Sequence, residues 1–269
     1  MVDVNSLRML FGRSLSVSNL LAFKLTSEQI ESIVLNSSDS FCKHWKTSTT
    51  GIFESEKFDQ IRVVVFEGSF FAKTILSYFS EYKETEIKIT VNDAREALKI
   101  ELISDMLHIT FKTARVEMSK DSDLSSTEYD MLFNITNALT SFTLPAGIIS
   151  KIDHLKAINS RSDEPVNFVK FEGANGVLEC SDTSFKLKIA EYDGSPFSVK
   201  FNKQFLSLLD PEDHIVYVAK EESFDKFVMQ SKHAEIDSWC SAILMKDVSQ
   251  LDDVEDSEGT DSNWEDFGM

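Results

Sequence analysis

Between Phe197 and Asp210 the spacing of apolar residues changes within one short segment. Phe197, Val199 and Phe201 alternate with polar residues, the period of a half-buried strand, and Phe205, Leu206, Leu208 and Leu209 then cluster as on the buried face of a short helix. Only Asn202 separates the two patterns, and Asp210 with Pro211 stops the helix. Further strand patterns surround this junction. Upstream lie "VNFVKFEG" and "GVLECSD", joined through Asn175-Gly176, a strong hairpin signal, and then "SFKLKIAEYDG"; downstream lie "HIVYVAKE", "FDKFVMQS" and "AEIDSWCSAILM". In front of them all, Ile148, Ile149, Ile152, Leu155 and Ile158 share one helical face between Pro145 and Pro165. The second half therefore reads strand, helix, three strands, strand, short helix, three strands.

The first half repeats this order. "IRVVVFEGSFFAKTILSYFSEY" runs a strand into a helix with Phe71, Ile75, Tyr78, Phe79 and Tyr82 inward, and "EIKITVND", "ALKIELIS" and "MLHITFKTARVE" follow as strands. Val64, Phe66 and Phe70 match Val199, Phe201 and Phe205 at an offset of 135, and Phe23, Leu25, Ile30 and Ile33 match Phe142, Leu144, Ile149 and Ile152 at an offset of 119. Two constant offsets in one order indicate a duplication. The second match predicts a helix over "TSEQIESIV", exposing Glu28 and Glu31. The difference of 16 between offsets 135 and 119 predicts a reduced hairpin region around "FCKHWKTSTTGIFESEKF" in the first copy. The pattern divides the chain into an N-terminal segment 1–18, a first domain 19–118, a Ser/Asp-rich connector 119–140, a second domain 141–247 and an acidic, disordered tail 248–269.

Composition narrows what such a chain does. With 269 residues, 42% of them hydrophobic, there is enough apolar surface for two cores. No run approaches the ~20 apolar residues that span a bilayer, and the N-terminal stretch lacks a signal-peptide core, so a soluble protein without membrane contact is expected. Cys42, Cys180 and Cys240 are widely spaced and read as buried thiols in a reducing compartment. Net charge is −18, of which nine negative charges follow Lys246 with no basic residue among them. Such acidity opposes phosphate binding unless the basic residues are gathered on one surface.

Catalytic signals are absent from the pattern. His44, His108, His154, His214 and His233 show no helical zinc spacing, and there is no nucleophile elbow, phosphate loop or dinucleotide fingerprint. "EGANG" turns a hairpin instead of opening a helix. The polar helix faces say more. Lys151, His154, Lys156 and Arg161 lie opposite or beside the isoleucine face, Lys73 and Lys83 lie on or at the end of the helix after Phe66, and Lys203 starts the short helix. Taken singly, each is a solvated face.

The order and spacing, carried by "VVVFEGSFFAKTILSYF", "FSVKFNKQFLSLL", "SFTLPAGIISKIDHLKAI" and "FDKFVMQSKHAEIDSWCSAILM", resemble the sliding DNA clamps, the processivity factors of replicative polymerases. With two units in a chain of this length, the resemblance is to the trimeric clamps of T-even and related large tailed phages, and it covers about residues 19 to 246. It implies an α+β, two-domain sliding-clamp fold in which antiparallel sheets lie outside and helices line the inner face, with three chains closing into a pseudo-sixfold ring. Lys73, Lys83, Lys151, His154, Lys156, Arg161 and Lys203 would then face duplex DNA, without base readout.

The same resemblance implies that "MLHITFKTARVE" pairs with "SFKLKIAEYD" of a neighbour to form a homotrimer. It implies DNA polymerase and an ATP-dependent clamp loader as partners, docking on a hydrophobic pocket beside the connector, where Phe133 and Ile135 are the nearest apolar residues. The clamp itself would be non-enzymatic, need no cofactor or metal, and work in the host cytoplasm or nucleoid if phage-encoded. In the tail, Trp264 and Phe267 sit among acids and either belong to a solubilising extension or dock as aromatic anchors on the clamp or a replication partner. The competing reading in another class is an acidic two-domain interaction or virion scaffold that never binds DNA. A hydrolase with a dispersed site is a third.

Overall fold

The computed structural model describes residues 4–26, 28–38, 40–48, 61–68, 70–72, 77–79, 85–91, 98–112, 124–159, 168–181, 185–221 and 224–245. The first half comprises α1 (Val4–Leu15), β1 (Leu20–Leu25), β2 (Gln29–Leu35), β3 (Phe41–Ser48), β4 (Ile61–Glu67), α2 (Ser77–Phe79), β5 (Glu86–Val91), β6 (Leu98–Ile103) and β7 (His108–Lys112). A connecting helix, α3 (Ser126–Phe133), leads to β8 (Thr140–Leu144), α4 (Ala146–Asn159), β9 (Phe168–Ala174), β10 (Val177–Ser181), β11 (Lys186–Glu191), β12 (Phe197–Asn202), α5 (Lys203–Leu206), β13 (His214–Lys220), β14 (Phe224–Ser231) and β15 (Asp237–Met245).

The duplication is written in strand order and register. β4-β1-β2-β3 in the first half has the same order as β12-β9-β10-β11 in the second. Phe23 lies opposite Val64 as Phe171 lies opposite Val199, and Glu31 lies opposite Lys46 as Glu179 lies opposite Lys188. The β9–β10 hairpin turns through Asn175 (φ 53°) and Gly176 (φ 80°), the two left-handed positions that Asn-Gly supplies at little steric cost. β3 then pairs with β15, so the two halves share one eight-stranded sheet, β4-β1-β2-β3-β15-β14-β13-β8. The counterpart of β3 is β11, the counterpart of β15 is β7, and among the described residues each of these is an outermost strand.

Each half buries its own core under its helices. Ile148, Ile149 and Ile152 of α4 pack with Phe171, Phe201, Val216 and Phe227, whereas Leu10 and Phe11 of α1 pack with Phe23, Trp45, Phe71 and Phe79. Leu10 and Ile152 are both at most 1% exposed. Phe11 lies 5.0 Å from Phe23 and 5.7 Å from Phe71 between ring centroids, so α1 is seated by aromatic contact. All three cysteines are buried. Among the described residues no helix is long and apolar enough to cross a membrane.

Four expectations about the first half need correction. "TSEQIESIV" is not a helix but the turn into β2: Thr26 Oγ1 accepts from the Gln29 amide at 2.9 Å, as an N-cap would, yet the Thr26 amide donates to the Gln29 carbonyl at 2.8 Å and closes a hairpin. The first helix is α1, inside the segment read as a mere N-terminal extension. The hairpin region is not reduced, because β3 is a full eight-residue strand. Finally, Phe70 is 52% and Tyr78 44% exposed, while Phe71 takes the inward position. Residues 49–60 and the side chains of Val64 and Phe66 lie outside the described residues.

Candidate nucleic-acid and partner interfaces

Aligning Leu10 with Ile152 sets α1 on α4 at an offset of 142, and the exposed faces then coincide. Arg8, Met9 and Gly12 are exposed on α1 where Ser150, Lys151 and His154 are exposed on α4. Each face lies on the side of its helix away from a buried Leu or Ile, the helical periodicity that separates core from solvent. His154 Nδ1 lies 2.7 Å from the Ser150 carbonyl, which holds the ring along the helix with Nε2 outward. Arg8 was missed because α1 was missed. Glu28 and Glu31 leave the helical surface altogether, and Glu31 is spent on His44 (Oε1–Nε2 2.8 Å).

Lys203 is a correction. It opens α5 behind the Asn202 cap, but it is only 6% exposed, so its amine is not offered to solvent as the sequence pattern suggests. The Asn202 cap turns β12 straight into α5, and Lys203, its first residue, is buried along with Phe205 and Leu206. Lys73, Lys83 and Arg161 lie outside the described residues, as do Trp264, Phe267 and the side chain of Lys156.

α1 is anchored to the second half by buried charge. Arg13 Nη1 reaches Asp210 Oδ2 at 2.7 Å and its other nitrogen pairs with Glu212; Lys43 Nζ reaches Asp210 Oδ1 at 2.8 Å and the carbonyls of Arg13 and Leu208 at 2.9 Å each. Lys43 is 0% exposed, and the carboxylate with two backbone oxygens replaces its lost hydration. The Trp45 indole N–H donates to Ser14 Oγ at 2.7 Å, tying the same end of α1 to β3.

The stretch read as a Ser/Asp-rich connector carries a helix, α3. Ser125 caps α3: its Oγ accepts from the Glu128 amide at 3.2 Å and Glu128 Oε2 accepts from the Ser125 amide at 2.8 Å. Leu132 and Phe133 are buried against Ile33, Cys42 and Val228, and Ile135 is half-buried beside them. Phe133 therefore fills the apolar face beside the connector and is not an open docking residue. Two polar clasps hold the helix there. His44 Nε2 donates to Glu31, so Nδ1 accepts from the Tyr129 hydroxyl at 2.9 Å, and Lys226 Nζ donates to the carbonyls of Met131 (3.1 Å) and Asn134 (2.9 Å) at the C-terminal end. The His44 hydrogen bond holds the Glu31 carboxyl below the usual range; burial lowers Lys226 and raises Tyr129 to about 12. Tyr129→Phe is expected to cost about 1 kcal/mol locally, raising amide exchange in residues 126–133 roughly fivefold and leaving β13 and β14 unchanged. Equal exchange in both proteins would remove this clasp from the account.

Among the described residues no three His, Cys, Asp or Glu side chains are grouped to hold a metal ion. No family model matches the sequence. No curated protein matches it either. Solved structures do. PCNA of A. fulgidus, bound by the C-terminal region of FEN-1, superposes with a TM-score of 0.65 at 8% identity, covering 91% of this chain and 98% of that one. The PCNA2–PCNA3 complex of Sulfolobus tokodaii gives 0.65 at 10% identity over 91% and 97%, and the Proliferating Cellular Nuclear Antigen of Entamoeba histolytica 0.66 at 10% over 91% and 96%. Coverage of almost the whole of both chains, with the duplicated strand order, gives this protein the fold of the PCNA-type sliding DNA clamps.

Proposed function

We propose that the protein is a sliding clamp: three chains close around duplex DNA and tether a replicative polymerase after an ATP-dependent loader has opened the ring. The β3–β15 pairing carries the proposal. It joins the two halves of one chain edge to edge, and among the described residues the counterparts β11 and β7 are outermost strands of their sheets. The same contact made between β11 of one chain and β7 of the next repeats the internal rotation, and six such units from three chains close without a free edge.

The lining is then basic where the chain is acidic. Arg8 and Lys151, with Lys156 farther along α4 and with Arg161, Lys73 and Lys83, which lie outside the described residues, supply sequence-independent attraction to phosphates in this reading. At physiological salt the Debye length of ~8 Å confines that attraction to the hole. A DNA-free acidic scaffold gives no reason for this segregation. A. fulgidus PCNA holds a terminal segment of FEN-1; polymerase and loader are proposed to dock here by short terminal segments too, near α3.

Light scattering tests assembly: a particle of three 30.5 kDa chains is expected, falling apart only on dilution. Retention on circular but not linearised DNA, in the presence of the loader, tests encirclement. In that assay Arg8→Glu with Lys151→Glu is expected to shorten residence most at low salt, reducing the salt slope by up to about 0.9 per lost phosphate contact. A monomer at every concentration would end the ring reading, and an unchanged slope would clear these two residues.

A further inference from the structure

The sheet β11-β10-β9-β12 turns one face to the second core and the other to solvent, and the solvent face is basic. Register places Lys200, Lys170, Ser181 and Lys186 in one row across the four strands, and Ser198, Glu172, Glu179 and Lys188 in the next. Directly paired residues of antiparallel strands share a face, so four lysines stand with three glutamates, Glu172, Glu179 and, opposite Val177, the exposed Glu191, a net positive face in a chain of net charge −18. Lys170 pairs with Glu172 and Lys186 with Glu179, both at 2.6 Å, and Lys188 and Lys200 stand against Glu191 alone. Lys200 and Lys170 are direct cross-strand neighbours, a like-charge contact that Glu172 relieves from the Lys170 side only. α4 and α5 pack on the opposite, core side of this sheet, so the row is not part of the proposed lining.

We infer that this face is the docking surface of the chain's own acidic tail, residues 247–269. Charge complementarity selects the occupant: nine Asp and Glu, no Lys and no Arg follow Lys246. Reach allows it. β15 ends at Met245, and Leu244 packs against the same core that the lysine-bearing sheet closes. Packed sheets lie about 10 Å apart, and 24 extended residues reach roughly 80 Å. The docked tail neutralises the basic row and leaves the lining as the only strong attraction for DNA, which discourages unproductive contact on the outer wall. The contact is electrostatic and largely exposed, so it is weak and salt-sensitive.

Zero-length carbodiimide coupling of the full-length protein tests this directly. At low salt, mass mapping is expected to join acids of residues 247–266 to Lys170, Lys186, Lys188 or Lys200, at least fivefold more than at 0.5 M NaCl (about 4 Å Debye length). Lys170→Gln with Lys200→Gln, both exposed and away from the core, is expected to lower that yield at least fivefold with little change in thermal unfolding. Mixing isotope-labelled and unlabelled chains tells whether the tail crosses to a neighbour in the ring; either result supports the docking. Tail crosslinks concentrated on Lys226 beside α3 would overturn it in favour of Trp264 and Phe267 anchoring at the connector. A lack of tail crosslinks at low salt would also overturn it. The outcome is independent of DNA encirclement, so failure here leaves the clamp reading standing.

Discussion

Asp210→Ala should destabilise the protein by about 3–5 kcal/mol, among the largest effects open to any single substitution in the chain. The carboxylate is 5% exposed and answers two cations, Arg13 at 2.7 Å and Lys43 at 2.8 Å, themselves 4% and 0% exposed. Removing it leaves both buried, with Glu212, the Ser16 hydroxyl and backbone oxygens to share. Lys43→Met should cost less, because it strands no charge: Asp210 keeps Arg13, and the carbonyls of Arg13 and Leu208 lose a neutral share of bonding. Denaturant unfolding measures both, and a smaller loss for Asp210→Ala than for Lys43→Met would refute the assignment. The same network predicts two-stage acid sensitivity. His214 is 0% exposed and burial lowers its pKa, so below about 6.5 the unfolded chain takes up a proton that the folded chain refuses, and stability falls. Burial pushes Glu212 up, but hydrogen bonds from Arg13 and Ser231 and the nearby charges of Arg13 and His233 outweigh it and hold the carboxyl low. Its contribution is complete above about 4.3 and is lost as pH drops through the lower folded value.

The second half was legible in the sequence because its local signals agree with its packing. Asn175-Gly176 turns the hairpin, Phe197, Val199 and Phe201 alternate onto the core, and Ile148, Ile149 and Ile152 mark one helical face. The first half misled for physical reasons. Thr26 and Gln29 make an N-cap-like contact inside a hairpin turn, so a helix signature was present without a helix. In α1 a glycine and five polar residues are scattered among the apolar ones, and the helix is held from outside, by Phe23 and Phe71 and by an aspartate 197 residues away. Lys43 is similar: five consecutive buried positions in β3 hide the period of two, and the partner that makes burial possible is on another half of the chain. For the site, the exposed basic positions on α4 were legible from spacing alone. Arg8 became visible only when α1 was laid on α4, and Lys203 passed for a surface residue because a strand-to-helix junction carries no sequence mark of its depth. The connector helix had its signal, Ser125-x-x-Glu128, but within a Ser/Asp-rich stretch that signal resembles ordinary loop composition.

Proline in β11 is expected to open the proposed ring without unfolding the chain. Successive N–H groups on a strand point to opposite sides, so of Leu187→Pro and Lys188→Pro one removes a bond to β10 and the other a bond offered at the outer edge. The outward-facing substitution leaves a carbonyl on the neighbour's β7 without its donor and puts a ring against that strand, costing about 1–3 kcal/mol at each seam, or roughly five- to a hundredfold in seam dissociation. Three seams close the proposed ring, so the penalty is felt three times in assembly. The two variants should therefore separate: one loses the particle of three 30.5 kDa chains in light scattering with its far-UV circular dichroism and unfolding midpoint unchanged, and the other loses stability first. Lys46→Pro provides the internal standard, since Lys46 occupies the Lys188 position in the first half and its strand meets β15, with Lys46 Nζ 3.2 Å from Asp237. There the seam lies within one chain and is needed for folding itself, so the same chemical change must lower the unfolding midpoint. Trimers persisting in both β11 variants would separate the internal seam from the assembly and show that the chains meet through some other surface.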